Sequence, residues 1–191
     1  MIIQDLFRYP IKSVGAEKLN NIFLKKGNTI PWDRAWGISH KSSQIHNDYN
    51  WIHPKDFARC YNFKSFSAIS NIFDENSGKM ILKHPHMDDL EFNIFNDKNF
   101  DKLISWLQYL TVEDFHQPES LFFHKNNGFT DTDYPSISIN FLSSLDDFSN
   151  FVGFEVSKGR FRGNIWIKDS KPWVESTFVG KKIQIGNAVL E

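Results

Sequence analysis

Apolar residues in this chain come in short runs closed by Gly, Pro, Asn or Asp, a punctuation that favours strands over long helices. Residues 2–9, 19–24, 31–39, 66–73, 79–83, 90–95, 136–141, the stretch around Ile165 and residues 182–190 each read as a strand. Pro10 stops the first, because proline lacks an N–H donor and restricts the residue before it. Lys25, Lys26 and Gly27 end the second, and the DENSGK segment at 74–79 turns the fourth back into the fifth. Helical spacing occurs in two places. Over residues 96–110, Phe100, Leu103, Ile104, Leu107 and Leu110 share one stripe behind Asn96 or Asp97 as cap. Ser144, Leu145, Asp147, Phe148 and Val152 fit a shorter helix in which Ser144 and Asp147 are spaced like a capping box. The predicted class is α+β and β-dominated.

The chain has 191 residues, enough to bury a core as one large or two small domains. A polar stretch from Glu113 to Ser120 is the expected boundary, dividing the chain into residues 1–115 and 116–191. With a formal net charge of −1 there is no global reason to expect nucleic acid or an anionic membrane as partner, so an anion site has to be local. Mean hydropathy of −0.43 is not that of an integral membrane protein. Cys60 is the single cysteine, which rules out an intrachain disulfide, a cysteine-based zinc site and an iron–sulfur ligand set. That usage, together with an amino terminus lacking a basic leader segment, leads to the expectation of a cytoplasmic protein.

Against this background the charges set among apolar residues stand out. In GRFRGNIWI (159–167), Arg160 and Arg162 alternate with Phe161, so a strand would place both guanidinium groups on one face. Two fixed cations on one face suit phosphate or carboxylate, and Asn164 presents a donor and an acceptor together. The same residues also fit an exposed strand with solvated arginines. The loop Ile11–Gly15 carries Lys12 and Ser13, which could wrap an oxyanion or form an ordinary turn; a Walker A spacing is absent. Asp33 and Arg34 lie between Trp32 and Trp36, where charges must pair or bind something. His84, His86, Asp88 and Asp89 form a turn-borne cluster without an established metal-ligand spacing.

Taken in order, these signals become more specific. YPIKSVG at 9–15, Asp33 and Arg34 followed by Trp36, WIHPKDF at 51–57, DYP at 133–135 with Ser144 and Leu145 after it, RFRGNIWI at 160–167, Val174 and Glu175, and GKKIQIGNAVLE at 180–191 together resemble the MOSC family. Those proteins are related to the carboxy-terminal domain of molybdenum cofactor sulfurase and to the amidoxime-reducing components. The resemblance covers nearly the whole chain. It implies an N-terminal MOSC β-barrel-type unit over residues 1–115 and an incomplete MOSC β-barrel domain over 116–191, with loops of the first facing the RFRGN segment of the second.

The resemblance also implies a cofactor, the molybdenum cofactor, a pterin dithiolene carrying a phosphate. Lys12, Ser13, Arg34, Arg162 and Asn164 match family positions that hold it, with Lys55 a weaker addition. Gly163 stands where the family has proline. The implied activity is reduction of N-hydroxylated or other N-oxygenated small molecules with electrons from a separate redox protein. Alternatives are a sulfur carrier for metallo-sulfur cluster assembly, a non-catalytic barrel holding a phosphate-bearing ligand, and, at family level, pyridoxal phosphate binding. The family's metal-ligating cysteine, preceded by Arg, would follow the strand ending at Leu190, and Cys60 does not match it. The expectation is therefore a partial reading frame whose product binds the cofactor weakly or not at all and does not turn over.

Overall fold

The computed structural model describes residues 1–45, 51–96, 100–114, 116–124 and 127–191. Its strands are β1 (Ile2–Arg8), β2 (Glu17–Leu19), β3 (Trp36–His40), β4 (Ser70–Phe73), β5 (Lys79–His84), β6 (Met87–Asn93), β7 (Pro118–Phe123), β8 (Ile139–Phe141), β9 (Ile165–Lys168), β10 (Ile183–Ile185) and β11 (Ala188–Leu190). Two helices, α1 (Asp101–Leu110) and α2 (Leu142–Val152), complete a β-dominated α+β fold. The strands form a four-stranded sheet in the order β2-β1-β9-β8, the pairs β3-β7 and β10-β11, and the meander β4-β5-β6. Among the described residues none of these sheets closes into a barrel, and no helix is long and apolar enough to cross a membrane.

Strand pairing ties distant parts of the sequence together. β9 runs antiparallel to β1 with Leu6 opposite Ile165, across a bulge between Ile3 and Asp5, and parallel to β8 with α2 as the crossover. β3 pairs with β7, so residues on both sides of position 115 share that two-stranded sheet. The larger core packs Ile11, Val14, Trp36, Ile38, Phe63, Phe66, Met80 and Leu82 against Leu103, Ile104 and Leu107 of α1. Trp32 stacks on Trp36 at 5.5 Å and 7°. A smaller cluster of Phe141, Ile165 and Ile167 lies under β8 and β9.

Several elements differ from the sequence-based expectation. The stripe over 96–110 is helical only from Asp101, with Phe100 at the N-cap and no side-chain cap. Asn96 instead donates its backbone N–H to Asn93 Oδ1 in the turn after β6, and Asp97 lies outside the described residues. Residues 31–35 are a turn and β3 begins at Trp36. Lys64–Ala68 is a 3-10 turn ahead of β4, while 182–190 folds into the β10–β11 hairpin rather than one strand. Ser144 and Asp147 form no capping box. The Ser144 hydroxyl accepts from Trp173 N at 2.8 Å and donates to Glu175, and Asp147 accepts the Trp173 indole N–H at 2.6 Å, so both hold a residue far ahead in sequence. His84, Asp88 and Asp89 sit on β5 and β6, where Asp89 pairs with Lys83 at 2.5 Å.

Candidate functional site

The register of β1 against β9 builds the site. With Leu6 opposite Ile165, the residues just before β9 must lie beside those just after β1. Phe7 donates its N–H to Asn164 O at 2.7 Å, Asn164 Nδ2 donates to Phe7 O at 3.2 Å, and the Tyr9 hydroxyl donates to Gly163 O at 3.2 Å. The segment after β1 then docks on the entry to β3: Arg34 N donates to Tyr9 O at 2.7 Å and Lys12 N to Trp36 O at 2.7 Å. Three loops thereby converge, carrying residues 9–15, 30–35 and 162–164. Gly128 admits a fourth. At φ +64° it lets the chain pass so close to Asp33 that an added Cβ would lie 2.3 Å from the Asp33 carbonyl oxygen.

Tyr9 is the hub of this arrangement, 3% exposed, with the Arg162 guanidinium 4.2 Å and the Arg34 guanidinium 5.0 Å from its ring centre. Arg34 donates to Asp33 Oδ2, to Asn164 Oδ1 at 3.4 Å and to Arg162 O at 2.9 Å. Asp33, 1% exposed, also accepts from Tyr9 N at 2.8 Å and so fixes hub and cation together. Arg162 donates to Gly15 O at 3.0 Å. Lys12 carries its ammonium to Phe129 O at 2.7 Å and Asp131 Oδ1 at 2.5 Å, 5.7 Å from the Phe57 ring centre.

Charge is unbalanced here. Arg34 pairs with Asp33 and Lys12 with Asp131, while Arg162 and Arg59, whose charges act on the same groups, have no carboxylate partner among the described residues. Burial pushes the Lys12 ammonium below its ordinary value, with Asp131 opposing and Arg34 and Arg59 reinforcing the shift. Burial likewise lowers Arg162 and raises the Tyr9 phenol, the latter against the pull of Arg162 and Arg34. Arg59 Nε is buried with no hydrogen-bond partner among the described residues. An excess of cations around an unsatisfied buried donor suits an oxyanion.

The structure brings Lys12, Ser13, Arg34, Arg162 and Asn164 into this one cluster. The Asn164 side chain, however, spends both its atoms on the fold: Nδ2 on Phe7 O, Oδ1 on Ser138 N at 3.1 Å and on Arg34. Arg160 does not share a strand face with Arg162. It lies exposed in the 3-10 turn Lys158–Arg160, because the chain reverses through Arg162 at φ +48° before β9 begins. Lys55 is exposed in the turn Pro54–Asp56, its carbonyl 2.9 Å from His40 Nε2. Cys60, half-buried, donates to Ser13 O at 3.1 Å.

Arg59, Asp131 and the hub role of Tyr9 escaped sequence reasoning. Tyr9 opens the YPIKS motif, but neither Arg59 nor Asp131 has a local signal, since both reach Lys12 through long-range folding. Among the described residues no group of three or more His, Cys, Asp or Glu could hold a metal ion. Residues 1–114 match the family model described as "MOSC N-terminal beta barrel domain". No curated protein and no solved structure matches the chain.

Proposed function

This chain belongs to the MOSC family through its N-terminal β-barrel domain, and on that premise we propose that it binds the molybdenum cofactor at the Tyr9-centred cluster. The residues present suit the phosphate-bearing end of that group. Lys12, Arg34, Arg59 and Arg162 exceed their two carboxylate partners, and the buried, unpartnered Arg59 Nε lacks an acceptor that an oxyanion would supply. They suit its pterin edge less well, because the Asn164 amide is committed to backbone and to Arg34; its part is to hold Arg34 and the entry to β9 in place.

When bound, the group supplies two-electron redox chemistry at its metal. The chain's own residues bind and orient it: Lys12 and the guanidinium groups attract the phosphate, Tyr9 fixes the spacing of Arg34 and Arg162, and Asp33 holds Arg34 pointed inward. On this reading the protein carrying the cysteine that the family resemblance implies beyond Leu190 is an oxidoreductase. It reduces N-hydroxylated or other N-oxygenated small molecules with electrons from a separate redox protein. A non-catalytic holder of a phosphate-bearing ligand is the second reading, favoured by the commitment of Asn164 to the fold.

The observation that carries the proposal is the convergence of Arg34 and Arg162 on Tyr9 beside the buried Lys12. Its test is to titrate the protein with molybdopterin at low ionic strength and follow binding by pterin fluorescence. Wild type should bind saturably, and Arg162→Ala should bind about tenfold more weakly, the value of one charge-assisted contact. A wild type without saturable binding, or an Arg162→Ala protein that binds as tightly, refutes the assignment.

A further inference from the structure

Asp131 is misplaced for an ordinary surface carboxylate. Its side chain is 79% exposed, yet it reaches 2.5 Å from the ammonium of Lys12, which is only 5% exposed. Burial alone would raise its pKa, but Lys12 first, then Arg34 and Arg59, hold the carboxyl below its usual range, and Cys60, next to Arg59 in the chain, donates to Ser13 O at 3.1 Å, which brings that segment onto the loop that carries Lys12. Arg59 meanwhile keeps a buried Nε with no acceptor and has no ion-pair partner among the described residues. An exposed carboxylate paired with a buried lysine, on a loop close to an incompletely bonded arginine, occupies the position of an anion without satisfying the cations around it.

We propose that Asp131 is an internal stand-in for a phosphate monoester, and that the incoming phosphate displaces it from Lys12 and takes Arg59 Nε as a further donor. This rests on the reading of the cluster as a phosphate site and adds two residues to it: Arg59 as a binding residue, and Asp131 as a competitor that sets how tightly the site holds an anion. The exchange costs little, because Asp131 returns to water from a position already mostly exposed. A phosphate brings three acceptor oxygens where the carboxylate brings two, so Lys12 keeps a partner while Arg59 gains one. The ligand's phosphate also carries more charge than a carboxylate at neutral pH, and the local excess of cations favours it.

Inorganic phosphate is the probe, titrated at low ionic strength while the backbone amide resonances of Ser13, Val14 and Gly15 are followed by NMR. Asp131→Asn keeps the shape and removes the competing charge; it should bind phosphate about three- to tenfold more tightly than wild type. Arg59→Gln should bind more weakly by a similar factor, and Arg59→Lys should be no better, since a lysine lacks the buried Nε donor. Thermal midpoints of all three variants establish that they are folded. If Asp131→Asn and wild type bind equally while the same amides shift, the phosphate site stands and the stand-in role falls. Equal binding by Arg59→Gln removes Arg59 from the site. If no form binds phosphate, the cluster is not a phosphate site, and the inference falls with it.

Discussion

A single methyl group added at Gly163 tests how the site is packed. An ideal Cβ there would lie 2.0 Å from Asn140 Nδ2, 2.9 Å from Asn140 Cγ and 3.3 Å from Trp166 Nε1. Trp166 is 2% exposed and cannot retreat easily, so the half-buried Asn140 side chain is the neighbour that must give way. Asn140 Nδ2 is itself buried without a hydrogen-bond partner among the described residues, packed into the space a side chain at 163 would use. Gly163→Ala should therefore cost about 1–3 kcal/mol by overpacking. Asn140→Ala removes an unsatisfied donor and should change stability by no more than about 1 kcal/mol in either direction. Combined, the two changes should recover about 1–2 kcal/mol of the loss, a positive coupling read from urea unfolding of the four proteins in the cycle. In a thermal melt the Gly163→Ala loss corresponds to about 2–12 °C for a chain of this size. A proline at 163 brings the same Cβ, and Gly163→Pro should also be tolerated only with Asn140 shortened. A Gly163→Ala protein melting within about 1 °C of wild type, or a double variant equal to the sum of the singles, would refute the view that Asn140 fills the place of the missing side chain.

Two further outcomes follow from buried charges. Asp33→Ala removes the acceptor of Tyr9 N and the counter-charge of Arg34 at once, and should cost about 3–5 kcal/mol in urea unfolding, whereas a loss under about 1 kcal/mol would show that neither contact is needed. Asp5, 2% exposed at its side chain, pairs with Lys18 at 2.6 Å and with Lys158; burial raises its carboxyl pKa, but the two lysines more than offset this and hold it below 3.8. Because the folded value is the lower one, this stabilisation is complete above about pH 4 and is lost as pH falls through the folded value. The difference in unfolding free energy between wild type and Asp5→Asn should therefore be constant above that pH and shrink below it; a difference that stays constant down to pH 2 would exclude the linkage.

What could be read from the sequence follows the range over which each signal acts. The α1 stripe was legible because Leu103, Ile104 and Leu107 repeat at helical spacing and are all buried. Its start was not, because the cap expected from Asn96 competes with the Asn93 turn, in which Asn96 serves as a donor. Arg162 was recognisable as a cation inside an apolar run, but strand alternation placed Arg160 beside it, and only the reversal at Arg162 separates them. The amide of Asn164 suits either a ligand's polar edge or a turn beside the strand, and its type alone does not choose between them. A strand edge entering beside β1 has the same need for a paired donor and acceptor, and the backbone claims it. Arg59 and Asp131 meet Lys12 only through the completed fold, so nothing near them in sequence could reveal their role.

The backbone gives a reason to read the cluster as a site and not as scaffolding. Ser13, Arg34 and Arg162 all have positive φ, at 67°, 54° and 48°. A non-glycine residue in that region costs on the order of 1–2 kcal/mol, so the three together cost about 3–6 kcal/mol, a large share of a net stability of about 5–15 kcal/mol. Strain of this size persists only where neighbours fix it, and here they do: Tyr9 and Phe129 bracket the Arg34 backbone at 2.7 Å on either side, and Arg34 and Gly15 hold Arg162. What the strain achieves is direction. In relaxed extended backbone Arg162 would alternate with its neighbours as strand residues do; reversed, it lies over Tyr9, and Arg34 is turned onto the same ring. Stability alone would favour apolar side chains in these half-buried places, since mutually repelling cations near a buried lysine add desolvation cost without closing their own charge balance. On the proposed reading, both the strain and the repulsion are the cost of a site kept ready for a negative group supplied from outside.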